Sequence, residues 1–425
     1  MSFAHRLVSI LLVPILAFVL VQTRYPELLN DPVGSVQLYA ENVPFLHQYL
    51  IDATPSRSET PLVVTAFAHW SHYEKVSKVA VALAELGYPI TLITGQIFED
   101  DVKSLHPNIS FFPIQGKPDK FSEEEYEELK AYDEGSAEQG LFMMKKALVG
   151  GIPDQHNTLQ EVFRTHRDRY GAEKPIISLY DAPFAGHHPI LLGAPGVTPD
   201  ASLAISCHPL SLDSDDAYPF YMSTPPASGS NATAIHREAN RPENMDYATR
   251  EVSKAYWQLL ENLGATSMND WHIYHTMSAV PDHLMTMGVP QFEFPRSDLR
   301  PNVHYFGAIQ SSKKADTQSE LPEWWTDVAV AKQDGKKIVA VSQGSLAMDL
   351  NELLIPTLEA LKDRSDILVV ATTVAVEVED VKDLVIPSNA RVAKFVPYNL
   401  LLPQVRSPTS HPVFIASNGM LISPD

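Results

Sequence analysis

The chain is poor in cysteine, in positive charge and in glycine-rich phosphate loops. Its one cysteine, Cys207, rules out an intrachain disulfide framework and any cysteine-rich metal site. Lysine and arginine total 32 against 52 aspartates and glutamates, a net charge of −20 with a pI near 5.2. A surface that acidic repels phosphate backbones, so no nucleic-acid partner is expected. The basic runs reach no further than Lys313-Lys314 and Lys336-Lys337. No G-x-G-x-x-G follows the first strand of either half, which argues against a dinucleotide oxidoreductase. Glycine is outnumbered by proline, 19 to 33, and there are no short-period repeats.

Long hydrophobic runs are also scarce. The conspicuous one is Leu7 to Val21, LVSILLVPILAFVLV, which has signal-sequence length and is slightly short for a bilayer span of about 20 residues. No small-x-small cleavage site follows it, so residues 1–23 are expected to be a single-pass signal anchor in the endoplasmic reticulum or another endomembrane. A cleaved signal and a buried core helix are the other readings. Arg6 and Arg24 flank the run almost symmetrically, so its orientation stays open. The sequons at Asn108 and Asn231 add little, because triplets this short arise by chance.

What is present in quantity is alternating strand and helix. After a lead-in over 24–60, Pro61 to Ala68 has the length and apolarity of a strand. Tyr73 to Leu86 repeats apolar residues at helical spacing and stops at Gly87, a natural residue just past a helix end. Pro89–Thr94, Ile109–Ile114 and Pro175–Tyr180 predict further strands, and Thr158–Tyr170 a helix. The acidic stretch Ser122–Glu138 reads as a solvated helix face. Ser211–Arg241 reads as an irregular insert, with helical pattern from Asn244 to Leu263. Residues 310–335 are polar and serve as a linker. Lys336 to Ser342 then restarts a strand, followed by a helix over Asp349–Leu361 and a strand over Ile367–Ala371. The expected fold is α/β with two parallel-sheet domains, 61–309 and 336–425.

Open α/β sheets bind ligands at the carboxyl ends of their strands. Three such ends carry chemistry here: Phe67-Ala-His-Trp-Ser-His72, Asp181-Ala-Pro-Phe-Ala-Gly186 and Ser342-Gln-Gly-Ser345. A histidine and an aspartate at neighbouring ends can form a base and its orienting carboxylate. Ser-Gln-Gly-Ser offers hydroxyls and backbone N–H groups to a phosphate, or is an ordinary serine-capped turn. His187-His188 could touch a substrate, but adjacent loop histidines are expected to be solvated. Asp213, Asp215 and Asp216 are expected to form a solvated cluster, and Trp324-Trp325 to anchor the linker.

Taken in order, these segments resemble the family 1 nucleotide-sugar glycosyltransferases, above all fungal ones, from about Leu62 to Gly419. Ser71-His72 through Ala-Glu-Leu-Gly87-Tyr-Pro-Ile-Thr91 corresponds to the family's Gly-His motif, helix and following strand. Counting back from Gly87 places His72, and not His69, on the family's histidine. Ser71 and Lys75 depart from its glycine and proline. Tyr180-Asp181-Ala-Pro-Phe184 resembles the strand ending in the supporting aspartate. Phe292–Arg296 and Pro301–Gly307 resemble the text before the interdomain linker. Val339–Ser345 resembles the donor-side turn. Pro387–Arg391 and Phe395-Val-Pro397-Tyr398 match the stretch that holds uracil.

The resemblance implies a GT-B architecture and a metal-independent, inverting transfer of a sugar from a UDP-sugar. No cofactor is implied beyond that co-substrate. The acceptor would be a hydroxyl of a lipophilic small molecule such as a secondary metabolite, sterol or lipid. His72 would be the base and Asp181 its partner. Ser342, Gly344, Ser345, Pro397, Tyr398, Asn418 and Gly419 would serve the donor. Phe414–Gly419 resembles the start of the family's diphosphate signature, after which the text reads Met-Leu-Ile-Ser-Pro-Asp. By usual domain size, about a third to a half of the second domain would then be missing. The remaining strands would show a bare apolar face or edge, and the donor site would be weakened. A catalytically inactive acceptor- or partner-binding remnant is the alternative, and a misread gene end is another.

Overall fold

The computed structural model describes residues 56–116, 123–132, 136–222, 224–307, 321–342, 349–374, 376–381, 384–405 and 413–416. The apolar run at 7–21, most of the lead-in, and donor-site candidates Gly344, Ser345, Asn418 and Gly419 lie outside them. Among the described residues no helix is long and apolar enough to cross a membrane.

Two sheets organise these residues. The first has seven strands: β1 (Leu62–Thr65), β2 (Ile90–Thr94), β3 (Ile109–Pro113), β4 (Ile177–Asp181), β5 (Ala201–Ser206), β6 (His283–Thr286) and β7 (Val303–Tyr305). Their order is β3-β2-β1-β4-β5-β6-β7, and every pairing is parallel. The second comprises β8 (Lys337–Ser342), β9 (Ile367–Thr372), β10 (Ala390–Ala393) and β11 (Val413–Ala416) in the order β10-β9-β8-β11, again parallel. In both, the chain steps outward from the first strand and then returns to its other side. That reversal opens a crevice at the carboxyl ends of β1 and β4, and of β8 and β11.

A parallel sheet covered on both faces needs strands apolar on both sides. Leu62 and Val64 of β1 face one core with Val76, Ala80 and Leu92, while Val63 faces another with Leu159, Phe163 and Ile176. Helix Trp70–Glu85 buries Tyr73, Val76, Ser77, Ala80 and Ala84, spaced by three and four as one helix face requires. It starts a turn earlier than its periodicity predicts, and Gly87 follows it at φ +98°, where a side chain would be strained.

The second sheet is covered too. Val339, Val341 and Val369 pack on one side with Leu354 and Leu358, and Ile338, Ala340 and Val370 on the other with Val328 and Leu401. The expectation of a bare apolar face is therefore corrected for β8–β10. Part of that cover comes from the stretch assigned to the linker. Trp325–Gln333 is a helix that buries Val328 and Ala331 against β8, with Trp324 and Trp325 packed beside them. The packing of the second unit thus begins before Lys336.

Other local expectations shift for similar reasons. The acidic stretch is two helices, Glu123–Lys130 and Ala137–Met144, and Ser136 caps the second by accepting the Gln139 N–H. The insert at 211–241 contains helix Ala232–Ala239, tied down by Arg237 on Asp215. The helix after β8 is regular only over Leu354–Leu361.

Candidate active site

The reversal between β1 and β4 sets the first of the two crevices. Beyond β1 the chain turns at Phe67–His69 and enters the first turn of helix Trp70–Glu85. Tyr73, 2 % exposed, stacks on Phe98 at 4.2 Å between ring centroids, which pins that turn. His72, immediately before it, is thereby aimed at the end of β4. Its Nδ1 lies 2.9 Å from Asp181 Oδ2 and 3.2 Å from Oδ1. Asp181 is fully buried and also accepts the Phe67 N–H, so the carboxylate is held on two sides. With Nδ1–H donating to Asp181, the tautomer inferred from this network leaves the Nε2 lone pair of His72 as the proton acceptor.

His69 does not compete for the carboxylate. Its Nδ1 contacts Ser71 Oγ at 3.0 Å, and burial, then His72 and Lys75, lower its pKa. Lys75 in turn donates to the Ser71 carbonyl at 2.7 Å. The two residues that depart from the family pattern thus brace the turn, and Phe67 and His69 set their rings edge-on against His72.

Sequence reasoning missed two groups here. Cys207, just past β5, brings its Sγ within 4.8 Å of the His72 and Asp181 donor atoms. Burial, then the Asp181 charge, pushes that thiol up to about 12. His208 follows, its Nδ1 donating to the Pro209 carbonyl at 2.8 Å and its pKa lowered by burial. A lone cysteine after a weakly alternating strand carries no signal that could have found it.

The carboxyl ends of β8 and β9 gather three hydroxyls. Ser342 at the end of β8 and Tyr398 at the start of helix Tyr398–Val405 lie 2.6 Å apart, oxygen to oxygen. Thr372 of β9 donates to Ser342 at 3.1 Å and sits 2.8 Å from Tyr398. Buried Pro397 ends the approach, its carbonyl accepting the Leu400 and Leu401 N–H groups. Ser342, Pro397 and Tyr398 are therefore brought together, and Thr372 joins a group that sequence reasoning had left without it.

Two expectations are overturned. His187 and His188 are buried and not solvated. His187 stacks on Tyr180 at 4.1 Å and pairs with Ser178 Oγ at 2.8 Å, while His188 Nδ1 meets the Tyr256 hydroxyl at 2.6 Å. Burial lowers His187 well below the ordinary histidine value, and His188 to about 3, so both are neutral packing groups. They pack with helix Ile152–Tyr170 and helix Tyr247–Asn262 against the sheet. Asp213 is not a solvated group either. His272 Nε2 bonds its Oδ1 at 2.7 Å, and His275 Nδ1 lies 3.2 Å from Oδ2. Burial opposes ionisation there, yet these contacts outweigh it and hold the carboxyl at about 2. Asp216 accepts from Ser297, closing the loop onto 297–298.

No family model matches the chain. The UDP-glycosyltransferase 2 of Phaeomoniella chlamydospora is 31% identical to it over 369 residues, spanning 86% of this chain and 77% of that relative. The chain belongs to the UDP-glycosyltransferases. UDP-glucosyltransferase avaP of Aspergillus versicolor is 28% identical over 382 residues, spanning 86% and 78%. Among solved structures, the glycotransferase of kitacinnamycin is similar at a TM-score of 0.48 and 14% identity, covering 85% of this chain and 76% of that one. In this UDP-dependent glycosyltransferase, the histidine–aspartate pair lies at the crevice of the first sheet and the hydroxyl cluster at the carboxyl ends of β8 and β9 in the second.

Proposed function

We propose that the chain moves a sugar from a UDP-sugar to a hydroxyl of a lipophilic small molecule, with His72 as general base. The observation that carries this reading is the His72 Nδ1–Asp181 contact at the switch point of the first sheet. A hydroxyl placed against Nε2 loses its proton to His72 as its oxygen attacks the anomeric carbon. The C–O bond to UDP breaks on the opposite face, so the configuration inverts. Asp181 holds the imidazole in the productive tautomer and stabilises the imidazolium that forms. UDP is proposed to lie at the second crevice, with Tyr398 beside uracil and Ser342 toward the diphosphate, the two units facing each other as in a GT-B enzyme. The apolar run at 7–21 is proposed as the membrane anchor, which would bring the acceptor crevice to an endomembrane surface where lipophilic hydroxyl compounds collect.

Calorimetry with UDP and UDP-glucose, paired with transfer assays on His72→Ala, tests the reading. Donor binding that persists while transfer falls by roughly 10²–10⁴ supports it. A protein that ignores both nucleotides would be an acceptor-binding remnant instead.

A further inference from the structure

Three donor types from three adjacent strand ends meet beside the base: the His72 imidazole after β1, the Asp181 carboxylate ending β4, and the Cys207 thiol after β5. One ligand atom from each lies within 4.8 Å of the other two. The Cys207 thiol also hydrogen-bonds Asp181, so imidazole and thiol converge on one buried carboxylate from two sides. We propose that His72, Asp181 and Cys207 form a capture site for a thiophilic divalent cation of the zinc or cadmium class, and that its occupation switches the base off. The switching half of this proposal rests on the reading of His72 given above.

The ligand set selects the ion. Thiolate with imidazole and a single carboxylate suits zinc, cadmium or cobalt, whereas magnesium and calcium take oxygen ligands. Bond lengths of about 2.0–2.3 Å put neighbouring ligand atoms of a tetrahedral zinc site roughly 3.3–3.8 Å apart. The His72–Asp181 contact at 2.9 Å must open slightly and the pairs with sulfur must close by at most about 1.3 Å, within reach of side-chain rotation. Asp181 is fully buried and the His72 side chain is 25% exposed, so a cation can enter past the imidazole and keep one position for water.

The chemistry balances without oxidation. The cation binds Asp181 as it stands, displaces one proton from Cys207 to solvent, and takes the Nδ1 lone pair of His72. The imidazole proton that had pointed at Asp181 now resides on Nε2. A base carrying a proton on the nitrogen that faces the acceptor cannot take another, so transfer stops while UDP binding on the other sheet is untouched.

The test uses the whole chain. Because Cys207 is the only cysteine, a thiolate-to-metal charge-transfer band on titration with Co²⁺ or Cd²⁺ reports this site alone. The expected result is a band saturating at one cation per chain, lost in Cys207→Ala and Cys207→Ser and weakened in His72→Ala. Zinc should inhibit transfer and a chelator restore it. Measured against its own metal-free rate, each cysteine variant should need at least about tenfold more zinc for equal inhibition. Absence of the band, or a band unchanged in His72→Ala, overturns the site. A saturated band with transfer intact overturns the switch and the base assignment, while leaving the ligand set standing.

Discussion

His72 Nδ1 and Asp181 Oδ2 stand 2.9 Å apart although 109 residues separate them in the chain. The contact follows from β1 and β4 being hydrogen-bonded neighbours whose carboxyl ends lie side by side. Replacing Asp181 by Asn keeps the shape and removes the charge that fixes the tautomer. The expected outcome is a drop in kcat of roughly 10²–10⁴ with the acceptor KM little changed, read from steady-state rates. A variant within about twofold of the parent would remove Asp181 from the mechanism.

The Tyr398 hydroxyl contacts both Ser342 and Thr372. Tyr398→Phe leaves those two paired with each other and should cost about 1 kcal/mol of stability in urea unfolding. On the donor-site reading it also weakens UDP several-fold by calorimetry. Unchanged UDP affinity would make the cluster a packing device alone.

Gly186, between β4 and the buried histidines, has no room for a side chain. A Cβ there would lie 2.5 Å from the Gln155 Cβ and 2.8 Å from the Gln155 carbonyl carbon, and backbone cannot step aside cheaply. Gly186→Ala should destabilise by about 1–3 kcal/mol. Gly140 in helix Ala137–Met144 meets nothing within 4 Å, so Gly140→Ala should be neutral or stabilise by up to about 1 kcal/mol. Thermal melts of the two variants should therefore move in opposite directions or differ plainly in size.

His187 and His188 are held neutral by burial, with His188 lowered to about 3. Unfolding frees them to take up protons at the ordinary value near 6.5, so the unfolded state binds more protons below that pH. Their contribution is present above pH 6.5 and declines as pH falls from there, for His188 toward 3. Stability should drop by about 1.4 kcal/mol per pH unit for each such histidine. Denaturant midpoints between pH 7 and 4.5 measure the slope, and His188→Gln should flatten it even if its midpoint is lower throughout. An unchanged slope would show that His188 is not the group responsible.

Much of the first sheet was readable because its strands β1, β2 and β4 are apolar runs of strand length and its first helix repeats every three to four residues. His72 was preferred to His69 only through the resemblance, which counts back from Gly87 to the family's histidine; periodicity alone starts that helix a turn too late. Strands β5, β6 and β7 were not recognised, since ASLAIS, HLMT and VHY are short or polar and become strands through the neighbours they pair with. The helix Trp325–Gln333 was read as linker because its apolar face is weak until β8 lies beneath it.

The amino-acid order alone settled what depends on near neighbours: the alternation of strand and helix, the parallel class that follows from it, and which residues sit at strand ends. Tertiary structure alone decided what those ends meet. Strand order places β1, β4 and β5 side by side, so a thiol at 207 joins an imidazole at 72, and two histidines that look like loop residues vanish beneath helices. Proximity in space depends on sheet pairing between distant segments, and no local pattern of side chains encodes that pairing by itself.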